Sequence, residues 1–167
     1  MTATAFTIRP ATPADSETLF RLIHALAEYE KLTHLVEATP QKIGDALFGP
    51  RPHAEAVLVE VDADGSKQAV GFALFFHNFS TFLAKPGLYL EDLFVDPAWR
   101  GHGLGKALLR HLAAIAVERG CGRFEWSVLD WNQPSIDFYR AMGADVMPDW
   151  RICRVTGDAL TQLGRPD

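Results

Sequence analysis

Cysteine is scarce. The 167 residues hold only Cys121 and Cys153, which form no CxxC pair and no metal-ligand spacing. That argues against a disulfide framework, and two free, buried thiols are the expectation. The six histidines show no HExxH-type spacing, so no metal centre is predicted. Long apolar runs are missing too: no stretch approaches the ~18 residues needed to span a bilayer. The opening MTATAFTIRP lacks the apolar core of a secretory signal. The expectation is a cytoplasmic, reduced setting with no membrane role. There is no run of basic residues and the net charge is −5. That argues against a nucleic-acid partner, because a phosphate backbone rewards clustered Lys and Arg. It is compatible with a cationic substrate. Repeats, low-complexity tracts and linkers are absent.

What is present suits one globular domain over residues 1–167, with a core at about residues 6–155. Hydrophobic residues make up 48% of the chain and charged ones 22%, enough apolar surface for a sizeable core and too balanced for disorder. Phe6 to Arg9 reads as a first strand. Thr12-Pro13-Ala14-Asp15 is a helix start with an N-cap hydroxyl, Pro in the first turn and an acid beside it. The helix runs to about Lys31 with Leu19, Leu22, Ile23, Leu26 and Ala27 on its apolar face. Thr39-Pro40 starts a second helix through Leu47. Ala56–Val61 and Ala69–His77 form a hairpin about Asp62–Ser66. Asn78–Pro86 is predicted as a loop and Gly87–Val95 as the next strand. Gly103–Arg119 is the strongest helix, with Leu104, Leu108, Leu112 and Ile115 on one face. Arg123–Leu129 is a strand, Asn132 to about Met142 a short helix, Trp150–Val155 a last strand and Asp158–Leu163 a last helical turn or two. This order predicts an α+β domain: a central mixed, mostly antiparallel twisted sheet with helices on both faces.

The most informative stretch is Leu90 to Gly105, LEDLFVDPAWRGHGLG. An acidic pair sits in an apolar β-rich run, and a turn leads to Arg100-Gly101-His102-Gly103-Leu104-Gly105 at a helix start. Glycine lets the backbone approach a ligand closely, and the free N–H groups of a helix start attract phosphates. Two well-known phosphate loops do not fit. A Walker loop needs G-x-x-x-x-G-K-[ST], but Ala107 follows Lys106 and Arg100 stands where the first Gly belongs. A dinucleotide fingerprint needs G-x-G-x-x-G, but Lys106 replaces the third Gly and the preceding strands are antiparallel.

R-x-x-G-x-G at Arg100–Gly105 resembles the acetyl-CoA signature of the Gcn5-related N-acetyltransferases. Ile8-Arg9-Pro10-Ala11-Thr12 resembles that family's opening. Tyr89–Val95 followed by Arg100-Gly101 looks like its central strand, and Trp131–Ser135 with Phe138-Tyr139 and Gly143-Ala144 like its final motif. With Tyr29-Glu30, the chain closely resembles the diamine branch, which includes spermidine/spermine and thialysine acetyltransferases.

The resemblance implies attack of a primary amine of a small cationic substrate on the thioester of acetyl-CoA. An alkylamine near pKa ~10.4 must first lose a proton, and Glu91 or Asp92 can bind the ammonium and accept it, directly or through water. Adjacent strand residues point to opposite faces unless a bulge intervenes; the family's strand is bulged, and the acid matching Glu91 binds substrate. A backbone N–H freed there, that of Leu93, would stabilise the oxyanion. Leu93, Phe94 and Val95 would pair with the pantetheine arm, while Arg100, Gly101, His102, Gly103, Leu104, Gly105 and Lys106 would hold the phosphates. Asn132, Pro134 and Ser135 would lie beside the arm, and Tyr139 would protonate the leaving thiolate. Tyr29, Glu30, Trp126 and Asp149 complete the implied substrate contacts. One departure concerns length: Lys31-Leu32-Thr33-His34 follows Tyr29-Glu30 where polyamine-specific members carry further acids, which favours shorter amines. A protein lysine or N-terminal acetyltransferase, or a non-catalytic CoA-binding sensor, would use much of the same core. The aromatic Phe75–Phe82 stretch reads as a covered surface, and the branch implies a homodimer.

Overall fold

Thr12 starts the first helix in two steps. In the computed structural model, which describes residues 5–166, its hydroxyl and backbone N–H both donate to Asp15 Oδ2, at 2.8 and 2.7 Å. The pair closes a single 3-10 turn, Pro13–Asp15, before helix α1, Ser16–Glu30. Residues 1–4, part of the stretch read for a secretory signal, and residue 167 lie outside the described residues. Helix α2, Pro40–Phe48, starts as predicted, with Thr39 Oγ1 accepting the Lys42 N–H at 3.2 Å.

Among the described residues, five strands form one sheet in the order β1-β2-β3-β4-β5. They are β1 (Phe6–Pro10), β2 (Glu55–Ala63), β3 (Ser66–Ser80), β4 (Lys85–Val95) and β5 (Arg123–Trp126). Neighbours are antiparallel except β4 and β5, which run parallel. The parallel pair is joined by the crossover helix α3, Leu104–Glu118, as parallel strands require. The predicted α+β class with a mixed, mostly antiparallel sheet is what the chain forms.

Strand alternation sends β2 side chains to two layers. Ala56 and Leu58 pack with Leu19 and Leu22 of α1, Ile43 and Leu47 of α2, and Phe72 and Phe94 of the neighbouring strands. Val57 and Val59, equally buried, point to the opposite face. There α3 packs against β4, β3, β1 and β5 through buried Leu104, Leu108 and Leu112. A strand covered on both faces reads as an unbroken apolar run, as Ala56–Val59 does.

Four expectations are corrected. The predicted loop Asn78–Pro86 is mostly strand: Asn78 pairs with Gly87, Phe79 with Pro86 and Ser80 with Lys85. The hairpin extends there with Phe79 and Phe82 exposed, so no buried face marks it as strand. β5 stops at Trp126, short of Leu129. Residues 144–156 form neither helix nor strand, so the predicted strand Trp150–Val155 is absent. Its alternation is visible locally, but a strand needs a neighbour's backbone groups. The thiols are not buried: Cys121 is half-buried and Cys153 exposed.

The described chain divides into two compact units, one ending at Ser127 and one beginning at Val128. The second holds α4, Gln133–Ala141, and α5, Gly157–Leu163.

Candidate active site

The β3–β4 register jumps at one point. Leu74 pairs with Asp92 and Phe75 with Leu90, leaving Glu91 as the extra residue of a β-bulge. The bulge changes the phase of β4. Leu88 and Leu90 lie outside the α1/α2 cluster, whereas Phe94 packs within it. Asp92, opposite Leu74, shares the Phe94 face and turns toward α1. Without Glu91 as an extra residue, Leu90 and Asp92 would share one face.

Three carboxyls converge at this point. Asp92 is half-buried, and its pKa is pushed up to about 6, first by burial and then by the charges of Glu91 and Glu30. Glu30 ends α1, and burial raises its pKa as well. A carboxylate at a helix C-terminus faces the negative end of the helix dipole. Together they form a region of negative potential that favours a cation.

Past the bulge, β4 loses one neighbour. Its pairing with β5 ends at Leu90–Trp126, while its pairing with β3 continues to Val95. The Asp96 N–H donates to Val70 O on β3 at 2.8 Å. Backbone groups alternate sides along a strand, so the Leu93 and Val95 N–H groups face the edge beyond β5. The strand direction and the bulge thus put free backbone donors next to the carboxyls.

The chain then turns. Asp96 Oδ1 accepts the Ala98 N–H at 2.9 Å and starts a 3-10 turn, Pro97–Trp99. Gly101 and Gly103 both have φ of +81°, and a Cβ added at either would meet nothing within 4 Å. These glycines are required by backbone conformation, and the space over them is open to a ligand. Gly103 is the N-cap of α3, so the first N–H groups of a 15-residue helix face that space. His102 Nδ1 lies 3.1 Å from the Arg100 carbonyl and 3.3 Å from that of Trp99. These residues fit a phosphorylated ligand.

Arg100 occupies a position that its motif does not reveal. Its Nε donates to Val95 O at 3.0 Å, and its guanidinium lies 4.5 Å from the centre of the Tyr29 ring and 5.7 Å from that of Phe94. It ties the loop to the end of α1 through backbone and ring contacts. No local pattern links Arg100 to Tyr29; only the fold brings them together. Trp126 ends β5, half-buried, 4.9 Å from the Phe124 ring between centroids.

The remaining candidates lie in the unit that begins at Val128. Asn132 is buried and caps α4, its Oδ1 accepting the Ser135 N–H at 3.4 Å. Pro134 sits in the first turn. Tyr139 is half-buried on α4, its ring centroid 5.4 Å from that of Phe138. Asp149 is exposed, in the stretch without regular structure.

Comparisons with known proteins identify the family of the chain. The model of the acetyltransferase (GNAT) family matches residues 19–144. L-ornithine N5-acetyltransferase NATA1 of Arabidopsis thaliana is 38% identical over 199 residues, covering 95% of this chain and 87% of that protein. Thialysine N-epsilon-acetyltransferase of Bos taurus is 34% identical over 163 residues, covering 93% of this chain and 95% of the other. Among solved structures, an integron cassette protein from the mobile metagenome of V. cholerae superposes with a TM-score of 0.79 at 23% identity. It covers 96% of this chain and 98% of its own, a likeness of fold. A family match from α1 to the end of α4 and relatives above 30% identity over nearly the whole chain place it in the GNAT family of N-acetyltransferases, enzymes whose cosubstrate is acetyl-CoA.

Proposed function

We propose that this chain acetylates a primary amine of a small cationic substrate, a diamine or a diamino acid of the ornithine, lysine or thialysine type. The observation that carries the reading is the cluster of Glu30, Glu91 and Asp92 beside the open edge of β4. Such a cluster holds one ammonium and leaves a carboxylate able to accept the proton of a second. An acid with its pKa at about 6 is mostly ionised at pH 7 and close enough to neutrality to be an effective base. The Leu93 N–H serves as oxyanion donor, and the β4 edge pairs with the amide-bearing pantetheine arm. The loop from Arg100 to Lys106 receives the pyrophosphate. Asn132, Pro134 and Ser135 flank the arm, and Tyr139 on α4 gives its proton to the leaving thiolate, as a phenol that is neutral at pH 7 can. Tyr29, Trp126 and Asp149 bound the amine. The relatives named for ornithine and thialysine support this substrate class.

Residues 1–167 act as one acetyltransferase domain, a reading supported by the family match on both sides of Ser127. A homodimer in the cytoplasm, with no nucleic-acid or membrane partner, is proposed with it. Exposed Phe79, Phe82 and Leu83 at the hairpin tip favour a covering partner. Among the described residues no helix is long and apolar enough to cross a membrane.

The test is mass spectrometry of amines and lysine peptides incubated with acetyl-CoA, using the wild type and Tyr139→Phe. Diamines and diamino acids are expected to be acetylated faster than monoamines or peptides. Removal of the phenol should lower turnover by roughly 100-fold or more with acetyl-CoA affinity little changed. Preferential acetylation of peptides would favour a protein acetyltransferase. Acetyl-CoA binding with no acetylated product would favour a sensor module.

A further inference from the structure

Within the unit that ends at Ser127, the sheet face that carries Asp92 continues past the bulge. Leu74 and Phe76 are two residues apart on β3 and share that face. Leu74 pairs with Asp92 and Phe76 with Tyr89, so the extra residue Glu91 makes Tyr89 the next side chain after Asp92 on the same side. The step is about 7 Å along the strand. The Phe76 and Tyr89 rings lie 5.1 Å apart between centroids, as neighbours on one face do. On β5, Glu125 pairs with Tyr89 and Arg123 with Gly87.

Polar groups gather there. The Tyr89 hydroxyl and Ser127 Oγ are 2.9 Å apart. One donates to the other, so the accepting hydroxyl keeps its own proton for a further acceptor. Glu125 Oε2 accepts from Asn78 Nδ2 at 2.9 Å and pairs with Arg123 Nε at 2.8 Å. Gly87 makes room for this crossing: a Cβ in its place would collide with Asn78 Oδ1 and crowd Arg123. Among the described residues Glu125 Oε1 and Arg123 Nη1 have no hydrogen-bond partner. Asn78, Tyr89 and Glu125 are half-buried, and Arg123 and Ser127 are exposed.

These groups match the head of an α-amino acid, which a plain diamine lacks. A carboxylate calls for a cation and hydrogen-bond donors, and Arg123 Nη1 and the Tyr89–Ser127 hydroxyls supply them. The ammonium on the same carbon calls for an anion, and Glu125 Oε1 adds one beside the carboxyl cluster. The reacting amine lies at Asp92 in the reading above, on which this inference rests. The three or four methylenes of ornithine or lysine then bridge the step from Asp92 to Tyr89. We propose that Tyr89, Arg123, Glu125 and Ser127 form a subsite for the zwitterionic head of a diamino acid, so that the enzyme selects diamino acids over diamines of the same length. Asn78 is a positioning residue, since its amide fixes the Glu125 carboxylate against Arg123.

The experiment measures kcat and KM for L-ornithine and 1,4-diaminobutane, which differ only by the carboxylate, on the wild type, Arg123→Gln, Arg123→Lys and Tyr89→Phe. Arg123 is exposed and Tyr89→Phe keeps the ring beside Phe76, so the variants are expected to fold, which circular dichroism checks. The wild type should favour ornithine by roughly 10-fold or more in kcat/KM, the scale of one charge-assisted hydrogen bond. Arg123→Gln should raise KM for ornithine by about that factor with kcat little changed. KM for diaminobutane should not rise, because the lost cation faces its second ammonium. Tyr89→Phe should act in the same direction by a smaller factor, and Arg123→Lys should retain part of the preference. Equal losses on both amines in Arg123→Gln, or a wild type that does not prefer ornithine, overturns the subsite while the acetyltransferase reading stands. Acetylation of neither amine by the wild type would instead overturn both.

Discussion

Asp92 shows how one side chain can link folding to chemistry. Its carboxyl is half-buried between two other acids, and the fold favours its protonated form, with a pKa of about 6 against an ordinary 3.8. A carboxyl whose pKa is raised by folding contributes most below its unfolded value, and stability falls as pH rises toward the folded one. Asp92→Asn keeps the shape and removes the charge. It is expected to stabilise the fold at pH 7 by at most about 3 kcal/mol. The gain should vanish below about pH 4 and grow between about pH 4 and pH 6. Urea midpoints measured across that range check it, and a constant offset at every pH would mean that packing, not charge, sets the effect. The same variant should acetylate diamines more slowly, since the group that disfavours folding is the one proposed to attract the ammonium.

At the scale of elements, the glycine loop couples β4 to α3. Gly103 adopts φ of +81° at the N-cap, a conformation that costs an L-residue roughly 1–2 kcal/mol. Gly103→Glu adds that strain and a negative charge where the pyrophosphate is proposed to lie. Acetyl-CoA binding should be lost with the fold retained, because an added Cβ meets no atom within 4 Å. Gly103→Asn, which tolerates left-handed backbone, should keep most of the affinity. Calorimetry on both variants is the check, and unchanged affinity in folded Gly103→Glu would remove the loop from the cofactor site. The bulge at Glu91 is the other element-level device, because one extra residue separates Leu90 and Asp92 into different layers.

At the scale of the whole molecule, one polar network joins the edge strand to the rest. Arg9 on β1 donates to both Asp15 carboxylate oxygens at 2.8 Å and to Glu60 on β2 at 2.7 and 2.9 Å. The Arg9 hydrogen bonds, with those from Thr12, hold the Asp15 carboxyl well below the usual range despite its burial. A depressed carboxyl contributes stability that is present above its unfolded pKa and is lost as pH falls toward its folded one. Asp15→Asn should therefore cost about 1–3 kcal/mol at pH 7, with the gap to the wild type narrowing below about pH 4. Denaturant midpoints at pH 7 and at low pH measure it. A gap independent of pH would reduce Asp15 to its hydrogen bonds with Thr12.

Local chemistry was enough to announce much of this protein. Thr12, Thr39 and Asn132 mark helix starts because capping depends on neighbours in sequence. The spacing of Leu104, Leu108 and Leu112 marks the buried face of α3. Gly101 and Gly103 mark a left-handed turn at a helix start, because positive φ and free helix-start amides are local properties. What the tertiary structure decided depends on partners distant in the chain. Whether Trp150–Val155 becomes a strand depends on a neighbouring ladder, and among the described residues none pairs with it. The bulge at Glu91 exists only against Leu74 and Phe75. The pKa of Asp92 depends on Glu30, from a helix some sixty positions earlier in the chain. The stacking of Arg100 on Tyr29 has no local pattern. Hydrogen-bond caps and backbone dihedrals act over a few residues, whereas burial, register and electrostatic potential are set by whatever the folded chain brings alongside.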